Sequence, residues 1–250
     1  MKTTLLNFVH VLISPLYLIA LPQGLWLKKN SVRLSEAQGP REMVIETDCN
    51  SYLVSGSPIS LKLLYLGESP AAGVGVENIQ QAVSAQVAYK LAQSQNIEWQ
   101  LLAENGIRLK ELRLKLQQSD IQKTDICIVS MGVNDCSKLT PSKQWKAEIL
   151  GLIADLKDKA CQHIFFTAAP PMHDFPLLPA PLSWIMGYRA YVLNQVLKGI
   201  CQQGEAHFLD FSGDLEPDLM SHDGYHPNEK GAELWAESIS QQVIPFLQKQ

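Results

Sequence analysis

The chain has 250 residues, of which 46% are hydrophobic and 18% charged, and a folded chain of this length hides roughly 70–75% of its unfolded surface. That composition excludes a disordered or collagen-like protein. A formal net charge of −4, with no basic stripe, excludes nucleic acid as the main partner.

Residues 5–21 (LLNFVHVLISPLYLIAL) are apolar except for Asn7, His10 and Ser14, and they contain Pro15. Lys2 supplies a thin basic start, and LIALPQGLW offers no A-x-A-like cleavage site. Extended through Trp26 and Leu27, the run approaches the ~20 residues that a spanning helix needs. Three readings stand side by side: an uncleaved membrane anchor, a cleaved secretory signal and a buried globular helix. Lys28, Lys29 and Arg33 outweigh Lys2, which places the rest of an anchored chain in the cytoplasm. The expectation is therefore membrane contact through residues 1–30 with the catalytic domain on the cytoplasmic side; the alternative is export after signal cleavage. The five scattered cysteines (Cys49, Cys127, Cys136, Cys161, Cys201) have no zinc-ligand spacing and suit buried free thiols in a reducing compartment.

Residues 31–58 are polar and irregular and read as a linker. From residue 59 to 250 short apolar runs alternate with helical periodicity. LKLLYLG (61–67), NIEWQLLA (96–103), DICIVSMG (125–132), CQHIFFT (161–167) and AHFLDF (206–211) read as strands. Residues 78–93, 107–118, 142–159, 181–202 and 229–247 read as helices. This alternation predicts one α/β domain with a sheet of about five parallel strands covered on both faces.

In such sheets ligands bind beyond the carboxyl ends of the strands. The first strand is followed by Gly67-Glu68-Ser69-Pro70, the second by Glu104-Asn105-Gly106, and the third by Gly132-Val133-Asn134-Asp135. Beyond the last strand lies Asp223-Gly224-Tyr225-His226-Pro227. Each piece has an ordinary structural use: Ser-Pro opens helices, and Asn-Gly and Asp-Gly make turns. Together they compose an acyl-transfer site. Ser69 is a weak nucleophile until a base, here His226, takes its proton, and Asp223 can hold the second imidazole N–H. The backbone N–H groups of Ser69 and Gly106 and the Asn134 amide can receive the charge that develops on the attacked carbonyl oxygen. His222, beside Asp223, is the weaker candidate for the base, and the stretch FPLLP (175–179) is either a substrate-facing lip or simple packing.

The set GESPAAG, ENG, GVND and DGYHP resembles the SGNH, or GDSL-type, hydrolase superfamily over residues 60–245. The resemblance implies a three-layer α/β/α, flavodoxin-like fold and an esterase that hydrolyses small-molecule or lipid esters through an acyl-enzyme, with no metal or other cofactor. It assigns Ser69, Asp223 and His226 to the triad and Ser69, Gly106 and Asn134 to the oxyanion hole. The usual Gly-Asp-Ser is Gly67-Glu68-Ser69 here, and the extra methylene raises a second reading: a ligand-binding module of the same fold with impaired turnover. A flavodoxin-like cofactor binder would need a Gly-rich phosphate loop, which is absent. The α/β-hydrolase elbow G-x-S-x-G is also absent, since position 71 is Ala and Pro70 has no N–H to give an oxyanion.

Overall fold

A computed structural model describes residues 14–47, 60–93, 95–121, 123–212 and 215–248. Six strands form one sheet: β1 (Glu42–Ile45), β2 (Leu61–Gly67), β3 (Ile97–Ala103), β4 (Ile126–Ser130), β5 (His163–Thr167) and β6 (His207–Leu209), in the order β1-β3-β2-β4-β5-β6. From β2 to β6 every pairing is parallel, so the carboxyl ends of five strands share one rim.

The strands are apolar almost throughout because both faces are covered. Leu64 and Leu66 of β2 join Cys127 and Val129 of β4 in one core, while Leu63 and Tyr65 join Ile126 and Ile128 in the other. This is the two-residue alternation of a strand, with buried side chains in both directions. One face carries α2 (Val83–Leu91) and α7 (Glu229–Leu247), which pack together over the second core. The other carries α3 (Leu109–Gln118), α5 (Ser142–Asp158) and α6 (Leu182–Cys201). Between β4 and α5 lies a single short helix, α4 (Val133–Ser137).

Three local expectations change. Residues 42–45 lie in the stretch read as a linker, yet they form β1 and pair antiparallel with β3, with Glu42 opposite Gln100 and Ile45 opposite Ile97. Four residues of an edge strand alternating between exposed and half-buried leave little periodic signal. Ser69-Pro70 does not open a helix: residues 69–75 are turns, a short 3-10 turn follows at Ile79–Gln81, and the next α-helix begins at Val83. Asn134 lies within α4, not in a loop.

The N-terminal run is described only in part. Residues 1–13 lie outside the described part, and Tyr17–Asn30 forms α1. α1 packs on α6, burying Ala20, and Gln23 donates from Nε2 to the Ala180 carbonyl at 2.9 Å. No described helix is long and apolar enough to cross a membrane. Of the cysteines, Cys49 lies outside the described residues. Cys127, Cys136, Cys161 and Cys201 are free and buried, and burial pushes their thiol pKa values up.

Candidate active site

β2 runs between β3 and β4, so three neighbouring strand ends deliver Ser69, Gly106 and Asn134 to one region of the rim. The turn after β2 is held from within: the N–H groups of Ala71 and Ala72 donate to the Glu68 carbonyl, and that of Val74 donates to the Ser69 carbonyl at 2.9 Å. It passes very close to the loop that carries Asp223 and His226. Gly75, at φ +106°, makes this approach; a Cβ there would collide with the Pro227 carbonyl oxygen. Ser221 seals the contact by donating from Oγ to the Gly75 carbonyl at 2.8 Å.

On that loop the Ser221 N–H donates to the His226 carbonyl at 2.7 Å, closing a tight turn around Asp223. Asp223 Oδ1 accepts the N–H groups of Tyr225 and His226 at 2.9 and 3.1 Å. Its other oxygen lies 2.6 Å from His226 Nδ1, and His226 Nε2 lies 3.0 Å from Ser69 Oγ. An acceptor-only carboxylate at Nδ1 selects the tautomer with its proton there, which leaves Nε2 free to accept from the serine hydroxyl. Burial works to raise the Asp223 pKa, but the hydrogen bonds from the His226 ring and from the two N–H groups outweigh it and hold the carboxyl below its usual value. His222 is exposed and lies outside this chain of bonds.

Glu68 is 3% exposed and spans from the nucleophile turn to α4. Its two oxygens accept the N–H groups of Val133 and Asn134, each at 2.8 Å. The longer arm therefore does not disturb the Ser69 turn; it reaches across and pins the first residues of α4. Burial pushes the Glu68 pKa up to about 7, against the N–H bonds of Asn134 and Val133 that favour the charge, while nearby Asp135 adds to the rise. Asp135 itself ties α4 to α3, accepting the Leu109 N–H at 3.0 Å and the Thr140 hydroxyl at 2.7 Å.

In the fold, Glu68 holds its proton more tightly than in the unfolded chain. The stability this adds is fully present below pH 4.5 and is lost as pH rises through about 7, a change on the order of 3 kcal/mol. Urea unfolding of the wild type and Glu68→Gln across that range is the check. The stability difference between the two proteins shifts by this amount, and a difference independent of pH would contradict it.

Three donors at these strand ends are without a hydrogen-bond partner among the described residues. The N–H groups of Ser69 and Gly106 make no hydrogen bond among the described residues. The Asn134 amide lies near enough to Glu68 to ease its charge, yet its Nδ2 is buried without a hydrogen-bond partner. An orphaned buried donor costs ~1–3 kcal/mol, a cost that a bound acceptor would remove. Gly106, at φ +79°, turns the chain back from β3 with open space where a Cβ would stand.

Beside Ser69 and His226 opens a narrow cleft of about 40 Å³, walled by Phe175, Phe211, Leu215, Leu219, Leu234 and Trp235. Phe175 meets the Tyr225 ring edge-on at 5.0 Å, and Phe211 meets Trp235 at 5.5 Å. Of the stretch 175–179, Phe175 lines the cleft and also belongs to the core, and Leu178 packs on that core. The walls from Phe211 to Leu219 and from α7 carry no motif, and the sequence reading passed over them. Only the folding of distant segments onto the rim reveals them.

A family model described as the GDSL-like lipase/acylhydrolase family matches residues 65–234. The chain belongs to this family. As a member it is an ester-hydrolysing enzyme of small-molecule esters, and the four strand-end blocks all lie within the matched span. Solved structures share its fold at low identity. TesA is 16% identical, with 74% of this chain and 98% of that chain covered and a TM-score of 0.60. The psychrotrophic esterase EstA from Pseudoalteromonas sp. is 19% identical over 75% and 98% of the two chains, with a TM-score of 0.57. Axe2, an acetylxylan esterase from Geobacillus stearothermophilus, is 17% identical over 73% and 94%, with a TM-score of 0.54. Comparison with curated proteins yields no significant match.

Proposed function

We propose that the chain is a serine esterase that cleaves carboxylic esters with apolar acyl groups through an acyl-enzyme on Ser69. The observation that carries this reading is the continuous relay from Ser69 Oγ to His226 Nε2 at 3.0 Å and from His226 Nδ1 to Asp223 Oδ2 at 2.6 Å. His226 takes the hydroxyl proton as Ser69 Oγ attacks the ester carbonyl, and Asp223 stabilises the imidazolium that forms. The oxyanion of the tetrahedral intermediate takes the unused donors of Ser69, Gly106 and Asn134. His226 then returns the proton to the departing alcohol. Water attacks the acyl-enzyme with His226 again as base, releasing the acid and restoring Ser69.

The two 2.8 Å bonds of Glu68 favour turnover over the impaired binding module, because the longer side chain seats α4 and leaves the relay intact. The apolar lining of the cleft is what supports an apolar acyl group, and an acyl chain longer than acetyl is the preference this reading puts to the test. A series of p-nitrophenyl esters from acetate through butyrate and octanoate to laurate tests this. Each buried methylene contributes about 0.8 kcal/mol at most, so kcat/KM rises several-fold between acetate and octanoate. A series that is flat, or that falls from acetate onward, contradicts the acyl assignment. Absence of turnover on every ester returns the binding module to first place. The cytoplasmic placement of the catalytic domain remains part of the proposal; activity of a C-terminal periplasm-dependent reporter would overturn it.

A further inference from the structure

α1 presents two faces of different use. Leu16, Tyr17, Ala20 and Leu27 pack inward on the core, and Gln23 grips the start of α6, donating to the Ala180 carbonyl and accepting the Leu182 N–H at 3.3 Å. On the opposite side Leu18 is 80% exposed, Leu25 69% and Trp26 64%, and Ile19 and Leu21 are more than half exposed. α6, on which α1 packs, exposes two more large side chains, Trp184 and Tyr191.

A helix already seated by one face needs no second apolar face to fold, and soluble monomers rarely expose large apolar side chains side by side. The surrounding charge points to what covers them. Lys28 and Lys29 occupy the last turn of α1 and Arg33 follows it, all exposed. From residue 14 to residue 35 there is no acid, and α6 has none either, in a chain whose net charge is −4. Exposed aliphatic side chains bordered by Trp and Tyr, with cations and no acids, match the headgroup level of an anionic bilayer.

We infer that the outer face of α1, extended by Trp184 and Tyr191 of α6, is a lipid-docking surface on which α1 lies in the plane of an anionic membrane and not across it. The described helix, at 14 residues, is too short to span, and its inner face is occupied by α6, whereas lying in the interface uses only the free face. This inference is independent of the catalytic reading.

The test is flotation of the full-length protein with vesicles of phosphatidylcholine alone and of phosphatidylcholine mixed with phosphatidylglycerol. The mixed vesicles capture the protein, and added salt weakens the capture without abolishing it. Capture weakens by roughly tenfold or more in Lys28→Glu/Lys29→Glu and in Leu18→Gln/Leu25→Gln/Trp26→Gln. These side chains are exposed, so thermal unfolding midpoints stay at the wild-type value and establish that the variants fold. Alkaline carbonate releases the bound protein. Equal capture of the variants and the wild type overturns the inference, and so does retention after the carbonate wash, which would mark a spanning segment. A dimer in light scattering, made monomeric by the triple substitution with no lipid capture by the wild type, overturns it in favour of a second copy.

Discussion

Ser69→Ala and His226→Ala each lower kcat on p-nitrophenyl esters by on the order of 10⁴ or more, and the double variant loses little beyond either one. The reason is geometric. In the proposed mechanism the 3.0 Å contact from His226 Nε2 to Ser69 Oγ is the route by which the nucleophile loses its proton, so removing either end removes the same event. Losses that multiply in the double variant would mean that the two residues act separately. Asp223→Asn costs as much or less, because an amide can turn its NH₂ toward Nδ1 and stabilise the wrong tautomer while leaving Ser69 in place.

Asn134→Ala lowers kcat by ~10²–10³ with KM almost unchanged. Its Nδ2 is buried without a partner in the free enzyme, so the bond it gains belongs to the charge that develops during the reaction. A rise in KM with kcat preserved would make Asn134 a ground-state binding residue instead. Asn134→Asp is the sharper variant: it keeps the size but removes the donor and puts an acceptor beside the buried Glu68 carboxylate. Its kcat falls at least as far as that of Asn134→Ala.

Much of the fold is legible because the signals are local. A run such as ICIVS in β4, buried at every position, can serve in few places other than the interior of a parallel sheet. The helix from Glu229 to Leu247 shows the apolar period that its buried Ala236, Ile239 and Val243 require. β1 and α4 escaped the reading because four or five residues carry no period long enough to detect, and their partners lie far away in sequence. The Ser69-Pro70 pair shows the same limit of local signals. Its local preference for opening a helix yields to the close passage of residues 69–76 beneath His226 and Pro227, a constraint that exists only after folding.

The sequence by itself determined the alternation of strands and helices, the family resemblance, and the order Ser69, Gly106, Asn134, Asp223, His226 along the chain. Each is written in spacing or residue type, which survives without coordinates. Only the tertiary structure decided that Glu68 reaches the N–H groups of Val133 and Asn134, a question of side-chain length against a gap that no spacing reveals. It also decided that Tyr17–Asn30 rests on α6 with an apolar face outward, a disposition that the apolar run in the sequence does not specify. Hydropathy records how apolar a segment is, while packing decides which of its faces the protein itself covers.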